Sequence, residues 1–232
     1  MFLFEMHRFL PFGERFKYLT LIQIFIVVLI CLMTMSCGGN QQNDWKAFFT
    51  GEKKPGFDSL YISRKADTAI VFVKKKKMNQ DWCVLVDMGM HSGLARMVIW
   101  DFKGDSILKR CLVGHGCGAY PWGTDRCKTN PVFSNEENSH CTSLGRYRIG
   151  ERGPSQWGIG VKYGLHGLDS SNSNAFKRFV VLHGWDKMSD VEIYPEGSPE
   201  GWGCPTVSNE MMAWLDRQLK GNSSPVLLWI YR

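Results

Sequence analysis

Paired metal-ligand spacings are missing from this 232-residue chain, which holds no Cys-x-x-Cys and no His-x-x-x-His. His115, Cys117, Cys127, His140 and Cys141 are all zinc-ligand types in one stretch, but without such pairs they make a weak metal site. No metal and no cofactor are expected. Internal repeats, a collagen-like period and a long disordered tail are missing too, which removes the fibrous and low-complexity classes. Basic residues are not interleaved with aromatics along a face, as a nucleic-acid surface would require. The formal charge of +6 owes much to one run, Lys74 to Lys77, which reads as a solvated loop or helix end. That charge also suits an anionic wall polymer or membrane surface.

What is present is globular in composition: 44% hydrophobic, 13% aromatic and 22% charged residues. Arg8, Arg15 and Lys17 precede an apolar run from about Tyr18 to Met35, and small residues follow. A positive flank, an apolar core and small residues are the layout of an export signal, and the run also suffices for a marginal membrane span. Thr34-Met35-Ser36-Cys37 resembles a relaxed bacterial lipobox, with Met35 where a small residue is usual and Cys37 as the lipidation site. A lipoprotein and an uncleaved anchor both put the rest of the chain outside the cytoplasm, periplasmic and membrane-attached. The expected organisation is a signal or anchor over residues 1–37, a polar tether over 38–56 and one domain over 57–232, long enough for a single core.

Export changes the reading of cysteine. Beyond the signal stand Cys83, Cys111, Cys117, Cys127, Cys141 and Cys204, an even set that in a secreted chain suggests disulfides. If Cys204 is a reactive thiol, at least one of the other five is unpaired; a Cys117–Cys127 pair is one option.

The segment from Phe57 to Val73 is ambiguous, with a loose helical face and a β-prone Ile70–Val73 end, and is read as a helix. Short apolar or alternating runs at 83–87, 96–100 and 106–113, with Lys103-Gly104-Asp105 as a turn, predict an antiparallel meander. Residues 114–142 carry no period and predict a long loop, often a functional one. Further strands are expected at 145–150, around 163–165, at 178–183 and at 226–231. Ser208 is the predicted cap of a helix over 209–220, with Gly221 just past its end. The fold class is therefore mainly β, with a few short helices.

Two segments carry chemistry. Val180–Trp185 is a strand ending in His183-Gly184, and Gly201-Trp202-Gly203-Cys204-Pro205 is a tight turn shortly before a helix. A thiolate is the nucleophilic form of cysteine, and a nearby histidine can take its proton. Acyl transfer also needs backbone N–H groups aimed at the developing oxyanion, and those of Gly203 and Cys204 suit that role. A lone Cys and a lone His would more often be inert buried residues. Trp185 and Trp202 adjoin the two turns and are candidate cleft walls, able to pack on glycan or on apolar parts of a peptide.

The arrangement resembles the L,D-transpeptidase catalytic domains, in which a strand ends in His-Gly and a Gly-Cys follows some twenty residues later. The Gly-Cys-Pro form is similar to the branch described as murein L,D-transpeptidase catalytic-domain-like. Leu112–Gly116, Phe133–Asn135, Ser139-His140, Ser143–Gly145 and Leu165–Leu168 match it in the same order, so the resemblance covers roughly 57–232. It implies a β-sandwich or mixed-sheet domain of that type, acting on peptidoglycan stem tetrapeptides between a diamino acid and a terminal D-Ala. Cys204 would form a thioester and His183 would serve as base. The acceptor would be an amine, giving a cross-link, or water, giving carboxypeptidase action; a non-catalytic wall-binding module on the same fold is the alternative. His115, His140, Ser143, His166 and Gly184 match family positions and join Trp185 and Trp202 as candidate substrate-binding or site-lining residues. One position departs from the pattern: Gly201 stands where Ser or Thr is common.

Overall fold

The computed structural model describes residues 53–232; the expected export segment, Cys37 and most of the tether lie outside the described residues. Helix α1 spans Ser59–Lys76. Asp58 caps it by accepting the Tyr61 N–H at 2.9 Å, and Ile62, Ala66, Ala69 and Val73 form its buried stripe at helical spacing. That stripe overrides the β-propensity of Ile70–Val73. Lys74, Lys75 and Lys76 fill the last turn, where the helix dipole favours cations, and Lys77 ends the helix in the left-handed region at φ 54°.

Eight strands follow: β1 Trp82–Asp87, β2 Met97–Asp101, β3 Ser106–Cys111, β4 Gly145–Pro154, β5 Val161–Gly167, β6 Val181–Gly184, β7 Thr206–Val207 and β8 Leu227–Tyr231. Helix α2, Asn209–Lys220, lies between β7 and β8. One mixed sheet contains all eight in the order β3-β2-β1-β8-β4-β5-β6-β7. The expected meander is its β1–β2–β3 end, while β1–β8 and β6–β7 pair in parallel.

Alternation along the central strands builds two cores. Val84, Val86, Leu228 and Ile230 face Met211, Met212 and Leu215 of α2. Cys83, Leu85, Leu227 and Tyr231 face the buried stripe of α1. With both faces covered, β1 is buried at every position, which is why it reads as a continuous apolar run.

Three expectations change. The strand expected over 178–183 begins only at Val181, because Phe179 sits at φ 56° and the chain closes a turn there, with the Val180 N–H on the Ala175 carbonyl at 2.9 Å. The two-residue β7 and a 3-10 turn at Ser170–Asn172 were not foreseen, being too short for any period to show. All six described cysteines are free thiols. Cys83 and Cys111 belong to different cores, on opposite faces of the sheet, so they cannot meet.

Candidate active site

The two chemically distinctive segments converge at the β6–β7 edge. β6 carries His183 opposite Thr206 of β7, and the Gly201–Pro205 turn leads directly into β7. The turn is held by the long loop 114–142, whose isolated bridges are Gly116 with Gly201 and Phe133 with Thr142. The Gly201 N–H donates to the His115 carbonyl at 2.7 Å, and the Cys117 N–H donates to the Gly201 carbonyl at 2.7 Å. The Thr142 hydroxyl donates to the Gly203 carbonyl at 3.1 Å. Gly203 has φ 102°, and a Cβ there would lie 2.5 Å from the Cys141 carbonyl oxygen, so only glycine fits this position. Gly201 is the opposite case: a side chain there would meet nothing within 4 Å. The position of the usual hydroxyl is open space facing the cavity.

That cavity has a volume of about 790 Å³, and its wall includes Cys204, His183, Trp122, Trp157, Trp185 and Trp202. The half-buried Cys204 Sγ accepts the Val181 N–H at 3.4 Å, which seats the sulfur against the same strand that carries His183 two residues on. His183 is buried, and its Nδ1 lies 2.8 Å from the Gly184 carbonyl. A carbonyl can only accept, so Nδ1 carries the proton and Nε2 keeps its lone pair, the tautomer of a base. Burial pushes His183 below its ordinary pKa; the Gly184 bond opposes this and the Lys162 charge adds to it. Burial likewise pushes the Cys204 thiol up, against the Val181 N–H and the charges of Arg178 and Lys162, which favour the thiolate. Both shifts favour the uncharged forms, a thiol and an imidazole.

The other sequence candidates are dispersed. Gly184 serves through its carbonyl. His115 is fully buried, with Nδ1 2.9 Å from Arg96 Nη2 and Nε2 3.7 Å from Glu200. Glu200 also accepts the Cys127 N–H, so this buried network holds the segment entering the Gly201–Pro205 turn. His140 is exposed and stacks on Trp202 at 5.5 Å. Ser143 is buried, 3.0 Å from the Tyr147 hydroxyl and 3.3 Å from Arg178. His166 pairs with Glu151 at 2.9 Å and stacks on Phe176. None of these four lines the cavity. Among the described residues, no group of three or more His, Cys, Asp or Glu is disposed to hold a metal ion.

Sequence reasoning passed over Arg178. Its guanidinium donates to the Ser134 carbonyl at 3.0 Å and the Cys141 carbonyl at 2.7 Å, so it ties the long loop beneath Cys204. Nothing in its spacing marks it. Phe179, also passed over, lines the cavity, is 84% exposed and has its carbonyl 3.9 Å from Cys204 Sγ. A bulky residue in the left-handed region is a strained one, and such strain gathers at functional sites.

The fold is a mainly β domain that brings a cysteine turn and a strand-end histidine to one cavity wall. The model of the L,D-transpeptidase catalytic domain matches residues 56–231, and the chain belongs to that family. Among solved structures, it is similar to an L,D-transpeptidase from Xylanimonas cellulosilytica at 13% identity, covering 66% of this chain and 61% of that one with a TM-score of 0.37. An L,D-transpeptidase from Mycobacterium smegmatis matches at 10% identity, covering 66% and 59%, with a TM-score of 0.38. The helical cell shape determining protein Pgp2 of Campylobacter jejuni matches at 10% identity, covering 70% and 55%, with a TM-score of 0.40. The chain thus spans between half and two thirds of these structures' length. No curated protein matches it.

Proposed function

We propose that the protein is a cysteine acyltransferase acting on peptidoglycan stem tetrapeptides, with Cys204 as nucleophile and His183 as base. The observation that carries this reading is the shared cavity wall, on which His183 presents an unprotonated Nε2 because its Nδ1–H is spent on Gly184. As the scissile carbonyl docks, Nε2 takes the Sγ proton and sulfur attacks the carbonyl carbon between the diamino acid and D-Ala. The N–H groups of Gly203 and Cys204 take no backbone acceptor among the described residues and can meet the oxyanion. His183 returns the proton to the departing D-Ala amine, leaving a thioester on Cys204. An acceptor amine or water then gives its proton to His183 and attacks the thioester carbon, freeing the thiol. Export and attachment through Cys37 or an uncleaved 1–37 segment belong to this proposal.

The test is intact-protein mass spectrometry of the wild type with a stem tetrapeptide. An acyl adduct should form that is absent from Cys204→Ala. His183→Gln should slow adduct formation at least about a hundredfold, the usual worth of a general base. A wild type that never acylates sinks the proposal. Muropeptide analysis of treated sacculi then reports the acceptor.

A further inference from the structure

The cavity is more aromatic than acyl transfer on a short peptide requires. Trp122 is the centre of the cluster: its ring stacks on Trp185 at 5.1 Å, and lies 5.9 Å from Trp157 and 6.3 Å from Trp202. Trp185 is buried and forms the base, while Trp122, Trp157 and Trp202 remain 42%, 43% and 62% exposed. Exposed indoles are costly to leave in water, and three side by side on one wall form a continuous apolar surface. The Lys187 ammonium stands over Trp122 at 4.8 Å from the ring centroid, so a cation borders this surface. The exposed rings are tilted to one another, by 51° between Trp122 and Trp157 and 46° between Trp122 and Trp202, and His140 stacks against Trp202 outside the cavity.

We propose that this tryptophan wall is a saccharide subsite that stacks pyranose rings of the glycan strand to which the stem peptide is attached. The inference rests on the proposed peptidoglycan reaction and names the part of the substrate that reaction leaves unassigned. A stem with a diamino acid and D-Ala offers one short aliphatic chain with its amine, amides and methyl-sized groups, enough to cover one indole face but not three. A pyranose offers a flat C–H face of matching size, and its hydroxyl and acetamido groups stay in water at the open rim. Lys187 is placed to meet an acyl or carboxylate oxygen of such a sugar. The wall would thereby favour stems still joined to glycan over free peptides.

Two measurements on the full chain separate this subsite from the reaction. Intrinsic fluorescence is titrated with tetra-N-acetylchitotetraose as the sugar probe. Saturable quenching is expected for the wild type, weakened about tenfold in Trp122→Ala and Trp202→Ala, the size of losing one exposed indole's share of apolar contact. Trp202→Tyr should recover most of the binding, and circular dichroism reports whether each variant is folded. Wild-type fluorescence that does not respond, responds only to an apolar peptide, or responds equally in all folded variants overturns the subsite. In parallel, acylation of Cys204 is timed with a disaccharide tetrapeptide and with the free tetrapeptide. The wild-type rate ratio should exceed about ten and fall toward one in the two alanine variants. A ratio near one in the wild type also overturns the subsite while leaving the reaction standing. If neither substrate acylates, the reaction falls, and the sugar titration alone still decides the subsite.

Discussion

At the residue scale, the site works through a balance of burial against local charge. Cys204 is pushed above the ordinary thiol range by burial, while the Val181 N–H, Arg178 and Lys162 pull it back. The rate of its alkylation by iodoacetamide should therefore keep rising with pH through the alkaline range. Arg178→Met should move that profile further alkaline, and Lys162→Met should do so by less; a shift toward acid in either variant would contradict the assignment. His115 gives a stability counterpart. Burial, with Arg96 adding, holds it at about 3, against an ordinary 6.5. The unfolded chain binds a proton that the folded chain refuses, so stability is full above the ordinary value and declines as pH falls through it toward about 3. Between pH 7.5 and 5.5 this contribution is about 1 kcal/mol. Urea unfolding should show the decline, and it should shrink in His115→Gln. His183, also lowered, slopes the same way, while Glu200, raised by burial, opposes it from its raised value down to its ordinary carboxylate range. An undiminished decline in the variant would show that His115 is not its source.

At the element scale, the shortest pieces position the most. β7 has only two residues, yet it pairs with His183 and Gly184, and Ser208 immediately after it caps α2 by accepting the Met211 N–H at 3.2 Å. One hydroxyl thus joins the edge of the site to the helix that covers a core. Ser208→Ala should cost about 1 kcal/mol of stability, seen as a lower urea midpoint at unchanged slope. A neutral result would mean the helix is held by Met211, Met212 and Leu215 alone. The Ser208 cap and the helix after it were legible because capping is local chemistry. β7 was not, because a two-residue strand exists only through its partner.

At the scale of the whole molecule, the sheet separates the thiols. Cys83 and Cys111 lie in opposite cores, and Cys117 and Cys127 are buried within the long loop. Burial pushes the Cys127 thiol up to about 11 and the Cys111 thiol up to about 12. Brief alkylation of the folded protein followed by peptide mapping should find Cys204 labelled well before these four, and all of them labelled once the chain is unfolded. Early protection of Cys117 and Cys127 that survives denaturation but not reduction would instead reveal a disulfide.

By itself, the sequence determined the mainly β class, both helices with the Ser208 cap, the loop 114–142, and the two short segments that carry Cys204 and His183. These rest on hydrophobic period, capping chemistry and short motifs, all of which act over a few residues. Only the tertiary structure decided which candidates share the cavity. Trp185 and Trp202 do, while His115, His140, Ser143 and His166 take up partners elsewhere. Trp122 and Trp157 reach the cavity from distant segments, while Arg178 and Phe179 adjoin β6 and are aimed by the turn that precedes it. The physical reason is that strand order and loop closure set their neighbours, and a mixed sheet in which β8 inserts between β1 and β4 is written in no local period.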